Sequence, residues 1–472
     1  MSIYFRVIAM LVITICWCPQ VQAQSVAQKL SAGFTVLLRD AQLAHASTSL
    51  YVVDAKTGEV VYDYNGRVGL APASTQKVVT SVTAFEMLGT GYRYKTEWAY
   101  TGRVSAGKLN GDIVIRGTGD PTLGSWRYGG ATADVIINEM LASLKKTGIT
   151  DMDGIVYGDD HRWESATVPG GWIWDDLGNY YGAGASALNW RENQYDIYFS
   201  PGAKVGDRPA IIKTVPSLYQ VQLVNELTSG AKGSGDNAYI YLPPYSSTGF
   251  IRGSIPQENN FMIAGSFPNP ALQTAHIFSE SLKAAGYHPG IPESYHGWSS
   301  DKEKQQTPSI VFYTHSSPPL DSIIYWFNKK SINLYGEALI KTLATESGQP
   351  GSTERGLKQL KEFWKARGID PEELDMSDGC GLSPQNRITT HAQVEVLKYA
   401  MSRPWFPAFQ MSLPEYNNMK MKSGTIRKVK GFCGYHYSAA GRSYIFSMLV
   451  NNYQGNTPAL VNKMYKVLDV LK

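Results

Sequence analysis

The chain carries little charge, and its charges nearly balance. Lysine and arginine number 44 and aspartate and glutamate 40 among 472 residues, so the formal net charge is +4. A nucleic-acid-binding protein concentrates basic residues on one face, and this small excess argues against that class. A hydrophobic content of 43% with 12% aromatic residues excludes a disordered chain. A chain of this length is too long to form one compact core, and it predicts two or three domains.

Long apolar runs are absent beyond the first residues. The N-terminus has one basic residue, Arg6, an apolar run from Val7 to Trp17 that is too short to span a bilayer, and the small-residue sequence Val21-Gln22-Ala23. That order is typical of a signal peptide cleaved after Ala23. No later stretch reaches the ~20 apolar residues of a membrane span. We therefore predict a signal peptide over residues 1–23 and an exported protein, periplasmic or secreted, with no stable membrane anchor. An uncleaved N-terminal anchor is the alternative.

Cysteine and metal-binding patterns are also scarce. Of the four cysteines, only Cys380 and Cys433 follow the predicted signal peptide. In an oxidising compartment they could form one disulfide, but two buried thiols fit the sequence equally well. The eight histidines show no metal-ligand spacing, and the acidic pairs lack supporting ligands. We predict neither a metal site nor a cofactor.

Three short motifs in a fixed order are the most informative feature that is present. They are Ser74-Thr75-Gln76-Lys77, Ser331-Ile332-Asn333 and Lys422-Ser423-Gly424-Thr425. A serine and a lysine three apart at a helix start share one face of a turn, so the hydroxyl and the amine can meet as nucleophile and base. The second motif adds a hydroxyl and an amide, and the third adds a cation beside strand N–H groups. Together they predict acyl transfer by an activated serine on a substrate that carries a carboxylate.

Each motif is weak when taken alone. Ser143 and Lys146 repeat the first spacing, and Lys56-Thr57-Gly58 is similar to the third, but Lys56 lies in a predicted hairpin turn. Ser-x-Asn occurs only at Ser331. An isolated Ser-x-x-Lys is more often a helix cap beside a solvated lysine. The two partner motifs, in order, favour the catalytic interpretation.

Periodicity predicts helices towards both ends of the chain and a β-rich segment between them. The predicted fold class is α+β, with an antiparallel sheet flanked by helices and split by a mostly β insertion. We assign residues 24–93 and 304–472 to this catalytic domain and residues 94–303 to the insertion, which we divide into two smaller domains. The strands predicted in the catalytic domain are Thr48–Val53, Val60–Tyr64, Lys420–Thr425, Gly431–Ser438 and Ser443–Asn451.

The three motifs resemble those of the penicillin-binding protein and serine β-lactamase superfamily. The long gap between Ser74 and Ser331 is similar to that of peptidase family S13, the D-alanyl-D-alanine carboxypeptidases and endopeptidases of low-molecular-mass class C, which carry inserted domains there. The same family is matched by further stretches: Leu109–Ile115, Gly117–Leu123, Pro169–Trp172, Tyr181–Ala183, Ser186–Leu188 and Asp378–Ser383.

This resemblance implies a β-lactamase/transpeptidase-like catalytic domain and a serine-type D-alanyl-D-alanine carboxypeptidase, also a D,D-endopeptidase, that acts on peptidoglycan stem peptides through an acyl-enzyme. Peptidoglycan peptides would be its partners and β-lactam antibiotics its covalent inhibitors. The catalytic residues it implies are Ser74, Lys77, Ser331, Asn333 and Lys422, and the substrate-binding residues are Ser423, Gly424 and Thr425.

Three positions depart from the family pattern. Ser423 stands where threonine is common, Cys380 replaces a usual serine, and Pro384 lies where members often carry a basic residue. The last two bear on recognition of the substrate side chain and not on the chemistry. The alternatives are a β-lactamase or esterase of the same fold, for which we find no Glu-bearing deacylation loop, and a catalytically silent wall-binding protein.

Overall fold

The computed structural model describes residues 24–295, 308–439 and 441–472. The predicted signal peptide therefore lies outside the described residues. No helix in these three segments is long and apolar enough to cross a membrane. The α-helices of the described residues are α1 Val26–Leu38, α2 Lys77–Leu88, α3 Ala133–Lys146, α4 Pro270–Ala284, α5 Leu320–Lys330, α6 Asn333–Glu346, α7 Thr353–Lys365, α8 Thr390–Met401, α9 Phe406–Ser412 and α10 Thr457–Leu468.

The strands of the described residues fall into six sheets. In chain order they are β1 Ser47–Asp54, β2 Val60–Tyr64, β3 Lys95–Thr101, β4 Arg103–Ser105, β5 Lys108–Asn110, β6 Ile113–Arg116, β7 Asp151–Asp153, β8 Val156–Asp159, β9 Gln194–Ser200, β10 Ala210–Val215, β11 Gln222–Gly230, β12 Asn237–Tyr241, β13 Thr248–Pro256, β14 Phe261–Ser266, β15 Glu293–Tyr295, β16 Ser309–Ser316, β17 Leu374–Asp375, β18 Arg387–Ile388, β19 Glu415–Tyr416, β20 Met419–Ile426, β21 Val429–Tyr437 and β22 Ser443–Asn451.

The largest sheet joins the two ends of the chain. Its order is β19-β20-β21-β22-β1-β2, and every neighbouring pair is antiparallel. Both faces are covered by helices, so side chains on β1 alternate between two cores. Leu50 and Val52 pack with Phe34 of α1, whereas Val53 packs on the other face with Val78 of α2. The predicted α+β class is confirmed, as are the five predicted strands to within one or two residues at each end.

The region between β2 and α5 contributes separate layers. A five-stranded mixed sheet, β15-β8-β6-β3-β16, packs against α3 and α4, and the three strands β4-β5-β7 form a small sheet beside it. Two further three-stranded sheets, β10-β9-β14 and β11-β13-β12, enclose a hydrophobic core of their own. The residues of that core are Tyr195, Ile197, Phe199, Leu227, Ile240, Leu242, Ile251, Ile255, Ile263 and Phe267.

The division into domains stays a prediction. Its second boundary, at residues 303/304, lies outside the described residues. Strand β16 follows that boundary, yet it pairs with β3 along its whole length. The five-stranded sheet therefore includes a strand that we had assigned to the catalytic domain.

The sequence did not lead us to predict two helices next to the large sheet, α8 and α9. Helix α8 buries Ala392, Val394, Val396 and Leu397 and leaves its opposite face partly exposed. Its buried face also contains the polar residues Thr390 and Gln393, which weaken the apolar stripe by which a surface helix is recognised. Cys380 and Cys433 are both buried free thiols. The disulfide alternative is therefore excluded.

Candidate active site

The nucleophile candidate Ser74 lies in a tight turn at the start of α2. Residues Ala73–Gln76 form a 3-10 turn that leads directly into the helix, and Ala73 has a φ of 47°, in the left-handed region. N–H groups in a first helical turn have no intrahelical acceptor and point towards whatever approaches that end. The backbone of Ser74 is therefore placed to donate to an oxyanion.

Two glycines allow other backbones to approach this turn. A Cβ on Gly424 of β20 would lie 2.5 Å from the Pro72 carbonyl oxygen and 2.9 Å from the Ser74 nitrogen. A Cβ on Gly381, whose φ is +85°, would collide with the Ala73 carbonyl oxygen. The chain therefore needs glycine at both positions to hold β20 and the loop after Asp378 against the nucleophile.

Lys77 is one helical turn further on, and its side chain reaches back to Ser74. Its Nζ lies 3.0 Å from Ser74 Oγ, 2.7 Å from Asn333 Oδ1 and 2.7 Å from the Cys380 carbonyl oxygen. An ammonium group can donate to all three. A neutral amine keeps two N–H groups, for the amide and carbonyl oxygens that can only accept, and its lone pair then faces the serine hydroxyl.

Asn333, the first residue of α6, is oriented from the inserted region. Its Nδ2 donates to the Tyr181 carbonyl oxygen at 2.8 Å. This bond directs Oδ1 towards Lys77 and assigns the amide orientation. The structure thus brings together three predicted residues, Ser74, Lys77 and Asn333, with a contact to Tyr181 that the motifs did not indicate.

The surroundings of Lys77 lower its pKa below the usual 10.5. The largest cause is burial, because Lys77 has no exposed surface and the charged form is desolvated. Cys380, Asp378 and Glu337 act in the opposite direction. Burial and the nearby Asp378 raise the pKa of Glu337 to about 8, so this carboxyl group is largely neutral at pH 7 and opposes deprotonation of Lys77 less than a carboxylate would.

The second motif reaches the third through one hydrogen bond. Ser331 caps α5 in a left-handed conformation with φ 56°, and its Oγ accepts from Lys422 Nζ at 3.1 Å. Lys422 also donates to the Ser423 carbonyl oxygen at 3.0 Å. Burial and the charge of Lys77 hold the pKa of Lys422 well below its ordinary value. A carboxylate bound nearby would favour the charged form of Lys422.

Strand β20 forms one wall of the site. Thr425 is exposed and lines the cleft, whereas Gly424 packs against the Ser74 turn. Ser423 supplies its carbonyl oxygen to Lys422, and its side chain is not among the residues that line the cleft. Thr425 Oγ1 accepts a 2.8 Å hydrogen bond from Lys430 Nζ on β21. Sequence reasoning missed Lys430, although pairing the predicted strands around a tight turn would have set it opposite Thr425.

Asp378 organises the loop that carries Cys380 and Gly381. Its two carboxylate oxygens accept hydrogen bonds from six donors. Gln76 Nε2, in the turn Ala73–Gln76, donates at 3.0 Å. Trp172 Nε1, in the inserted region, donates at 2.9 Å. The other donors are Cys380 N, Gly381 N, Ser383 N and Asn386 Nδ2. The sequence singled out this stretch as a family match but indicated no role for Asp378.

One group of side chains in the described segments has donor atoms close enough to hold a metal ion. It consists of Glu337, Asp378 and Cys380, whose ligand atoms lie within 4.8 Å of one another. The Asp378 carboxylate already accepts from six N–H donors, and burial raises the pKa of the Cys380 thiol well above its usual value, which disfavours the thiolate that a metal would need. We therefore interpret this group as a scaffold for the Lys77 side chain.

The site opens into a cleft of about 550 Å³. Ser74, Ser331, Asn333 and Thr425 line its catalytic side. The inserted region supplies the opposite wall through Ile173, Asp175, Asp176, Tyr181 and Tyr239. The arrangement combines a serine nucleophile, a buried amine, backbone N–H donors and cationic groups. Such a site can perform acyl transfer on a substrate with a free carboxylate.

Comparison with known proteins agrees with this chemistry. The family model for the D-Ala-D-Ala carboxypeptidase 3 (S13) family matches residues 30–470. The D-alanyl-D-alanine carboxypeptidase of Actinomadura sp. (strain R39) is 27% identical over 461 residues, which cover 92% of this chain and 83% of that protein. The D-alanyl-D-alanine carboxypeptidase DacB of Haemophilus influenzae is 24% identical over 417 residues, covering 84% of this chain and 83% of that protein.

A solved structure shows the same fold. The crystal structure of penicillin binding protein 4 (dacB) from Haemophilus influenzae aligns with a TM-score of 0.78 at 20% identity, covering 93% of this chain and 98% of that one. Fold and family together define a serine-type peptidase. The chain belongs to the D-Ala-D-Ala carboxypeptidase 3 (S13) family, and the predicted function of a serine-type D-alanyl-D-alanine carboxypeptidase is confirmed.

Proposed function

We propose that the protein removes the terminal D-alanine from peptidoglycan stem peptides through an acyl-enzyme on Ser74, and that it hydrolyses D,D-cross-links by the same chemistry. The observation that carries the proposal is the buried amine of Lys77, held 3.0 Å from Ser74 Oγ by two acceptors that cannot themselves donate. This geometry supports Lys77 as the base.

Acylation begins when Ser74 Oγ attacks the carbonyl carbon of the penultimate D-alanine and Lys77 takes the hydroxyl proton. The carbonyl oxygen becomes an oxyanion, for which the backbone N–H groups of Ser74 and Thr425 are the proposed donors. Removal of one such donor typically costs about 3 kcal/mol of transition-state stabilisation. Gly424 allows strand β20 to approach the turn that carries Ser74 closely enough for this pair of donors.

Departure of the leaving group requires a proton on its nitrogen. As the C–N bond breaks, the proton that Lys77 took from Ser74 passes through the Ser331 hydroxyl to the departing amine. The acyl group remains on Ser74 as an ester. The hydrogen bond from Lys422 to Ser331 supports this role. Water then hydrolyses the ester and restores Ser74.

Recognition of the terminal carboxylate falls to the third motif. Lys422 provides positive potential, and the hydroxyl group of Thr425, which lines the cleft, binds the carboxylate. Ser423, the other predicted binding residue, contributes through its carbonyl oxygen, which accepts from Lys422. A β-lactam presents a carboxylate next to an acylating carbonyl and would remain on Ser74 as a slowly hydrolysed ester. A crystal structure of the Haemophilus influenzae relative holds a β-lactam, which supports β-lactams as covalent inhibitors of this chain.

The proposed catalytic domain consists of residues 24–93 and the chain that follows the insertion, and the insertion contains two smaller domains. The separate hydrophobic core of the two small sheets supports the latter division. We also propose that the protein is exported, since its proposed substrate lies outside the cytoplasmic membrane.

The test is covalent labelling with a fluorescent penicillin, followed by peptide mapping. Wild-type protein should be labelled on Ser74, and Ser74→Ala should lose both the label and release of D-alanine from a pentapeptide. Ser143→Ala is the matched control, because Ser143 and Lys146 on α3 repeat the Ser-x-x-Lys spacing outside the cleft; it should behave as wild type. A label attached to any other serine would overturn the assignment.

A further inference from the structure

The solvent face of the small sheet β11-β13-β12 carries aromatic side chains. Tyr239 pairs with Arg252 across β12 and β13, and Tyr241 pairs with Phe250. Side chains of directly paired residues lie on the same face of a sheet. The residue pair between them, Ile240 and Ile251, is buried in the core on the other face. The outer face, where polar residues are the rule, therefore presents three aromatic rings.

A tryptophan from outside the sheet extends this surface. Trp174 is 50% exposed, and its ring lies 5.6 Å from that of Tyr241 at an interplanar angle of 31°. The guanidinium of Arg252 lies over the rings of Tyr241 and Phe250, at 5.6 and 5.5 Å, and is held by Glu226 at 2.6 Å. We call Trp174, Tyr239, Tyr241 and Phe250 the aromatic platform.

The platform continues the wall of the active-site cleft. Ile173 and Asp175, the two neighbours of Trp174, both line the cleft, and so does Tyr239. Ile173 and Tyr239 remain 43% and 44% exposed. Exposed apolar side chains thus continue outward from the position where the stem peptide would bind.

The chemistry of the platform suits one kind of ligand. Flat rings offer faces to the C–H side of a pyranose ring, while Arg252, Glu226 and Asp175 offer charged groups to its hydroxyl and amide substituents. The stem peptide of the proposed substrate is attached to a chain of such rings, which must leave the cleft along one of its walls. We propose that the aromatic platform binds the glycan strand that carries the stem peptide. The identity of the ligand in this inference rests on the proposed function, because the glycan strand is the part of the proposed substrate that carries the stem peptide.

Direct binding tests the platform without requiring catalysis. The probe is a peptide-free glycan strand of alternating N-acetylated amino sugars, titrated calorimetrically into the full protein. Wild type should bind it, and Trp174→Ala should raise Kd about tenfold, as truncation of a central aromatic side chain commonly does. Trp174→Phe should retain most of the affinity. The matched control is Trp126→Ala, since Trp126 is 48% exposed and does not line the cleft; its Kd should stay within about twofold.

A kinetic comparison gives a second readout. In Trp174→Ala, kcat/KM for a glycan-linked pentapeptide should fall about tenfold more than kcat/KM for the free pentapeptide. Equal losses on both substrates, or equal glycan affinity in wild type and variant, would overturn the proposal. Equal losses on glycan-linked and glycan-free cross-linked peptides would assign the platform to a second peptide instead. If wild type cleaves no pentapeptide, the proposed function fails, whereas the glycan titration still decides on the platform.

Discussion

Single residues set the charge at the end of the site where we propose that the substrate carboxylate binds. Two lysines lie at this end: Lys430 donates to Thr425 Oγ1 at 2.8 Å across the hairpin, and Lys422 donates to Ser331 Oγ and the Ser423 carbonyl oxygen. Burial lowers the pKa of Lys430 to about 8, so this ammonium loses its proton at only slightly alkaline pH. Its positive charge near Thr425 is present below pH 8 and disappears above it.

Lys430→Met should therefore weaken substrate binding in a pH-dependent manner. At pH 7 we expect KM for a pentapeptide to rise about tenfold, the size of one lost charge-assisted interaction. In wild type kcat/KM should fall as the pH rises through about 8, because the folded protein loses the Lys430 proton there. That alkaline step should be missing from the variant.

The control is Lys428→Met, since Lys428 is an exposed lysine in the adjoining turn. Its steady-state profile between pH 6 and 9 should match that of wild type. An unchanged alkaline step in Lys430→Met would show that another group titrates there.

At the scale of elements, the site depends on how closely β20 approaches the start of α2. Gly424 has no room for a side chain, because a Cβ would lie 2.5 Å from the Pro72 carbonyl oxygen and 2.8 Å from the Thr75 nitrogen. Backbone atoms cannot give way as the end of a flexible side chain can. Any larger residue must push the strand and the turn apart.

Gly424→Ala should slow acylation by penicillin about a hundredfold, since a displacement of about 1 Å at a reacting centre has that effect. The measurement is the second-order acylation rate, with the melting temperature as a check on folding. Gly33→Ala is the control, because a Cβ at that position in α1 meets nothing within 4 Å; it should acylate normally. Wild-type acylation by Gly424→Ala would refute the close approach.

In the whole molecule, the inserted region completes the site instead of only covering it. The Tyr181 carbonyl oxygen orients Asn333, and Trp172 Nε1 donates to Asp378 Oδ2 at 2.9 Å. Asp378 in turn accepts from Gln76 in the nucleophile turn. Hydrogen bonds therefore connect the insertion to Lys77 through Asn333, and to the turn that carries Ser74 through Asp378 and Gln76.

Trp172→Phe should disturb the site from a distance. Loss of a hydrogen bond to a buried carboxylate costs about 2 kcal/mol of folding free energy, and we expect acylation by penicillin to slow about tenfold as the Asp378 loop relaxes. Trp98→Phe is the comparison, since Trp98 is also buried and its Nε1 has no hydrogen-bond partner within the described segments. That variant should lose stability through packing but acylate at the wild-type rate. Equal rates in both variants would argue against the connection.

Local chemistry was predictable where it depends on neighbours in the chain. Ser74 and Lys77 meet because residues three apart share a helical face, and the strand pattern of β20 to β22 follows from alternation and turns. Helix α8 was missed because the polar residues Thr390 and Gln393 lie on its buried face and interrupt the apolar stripe. The membership of β16 in the inserted sheet was missed because pairing with β3 leaves no local signal.

The sequence by itself determined the serine, the lysine and the order of the three motifs, and through them the family. The tertiary structure decided which groups tune them: Tyr181 for the orientation of Asn333, Asp378 for the loop behind Lys77, and Lys430 beside Thr425. These contacts join segments far apart in the chain or across a hairpin, and only packing sets their distances. The lowered pKa of Lys77 has the same origin, because desolvation depends on everything that surrounds a group and not on its neighbours in sequence.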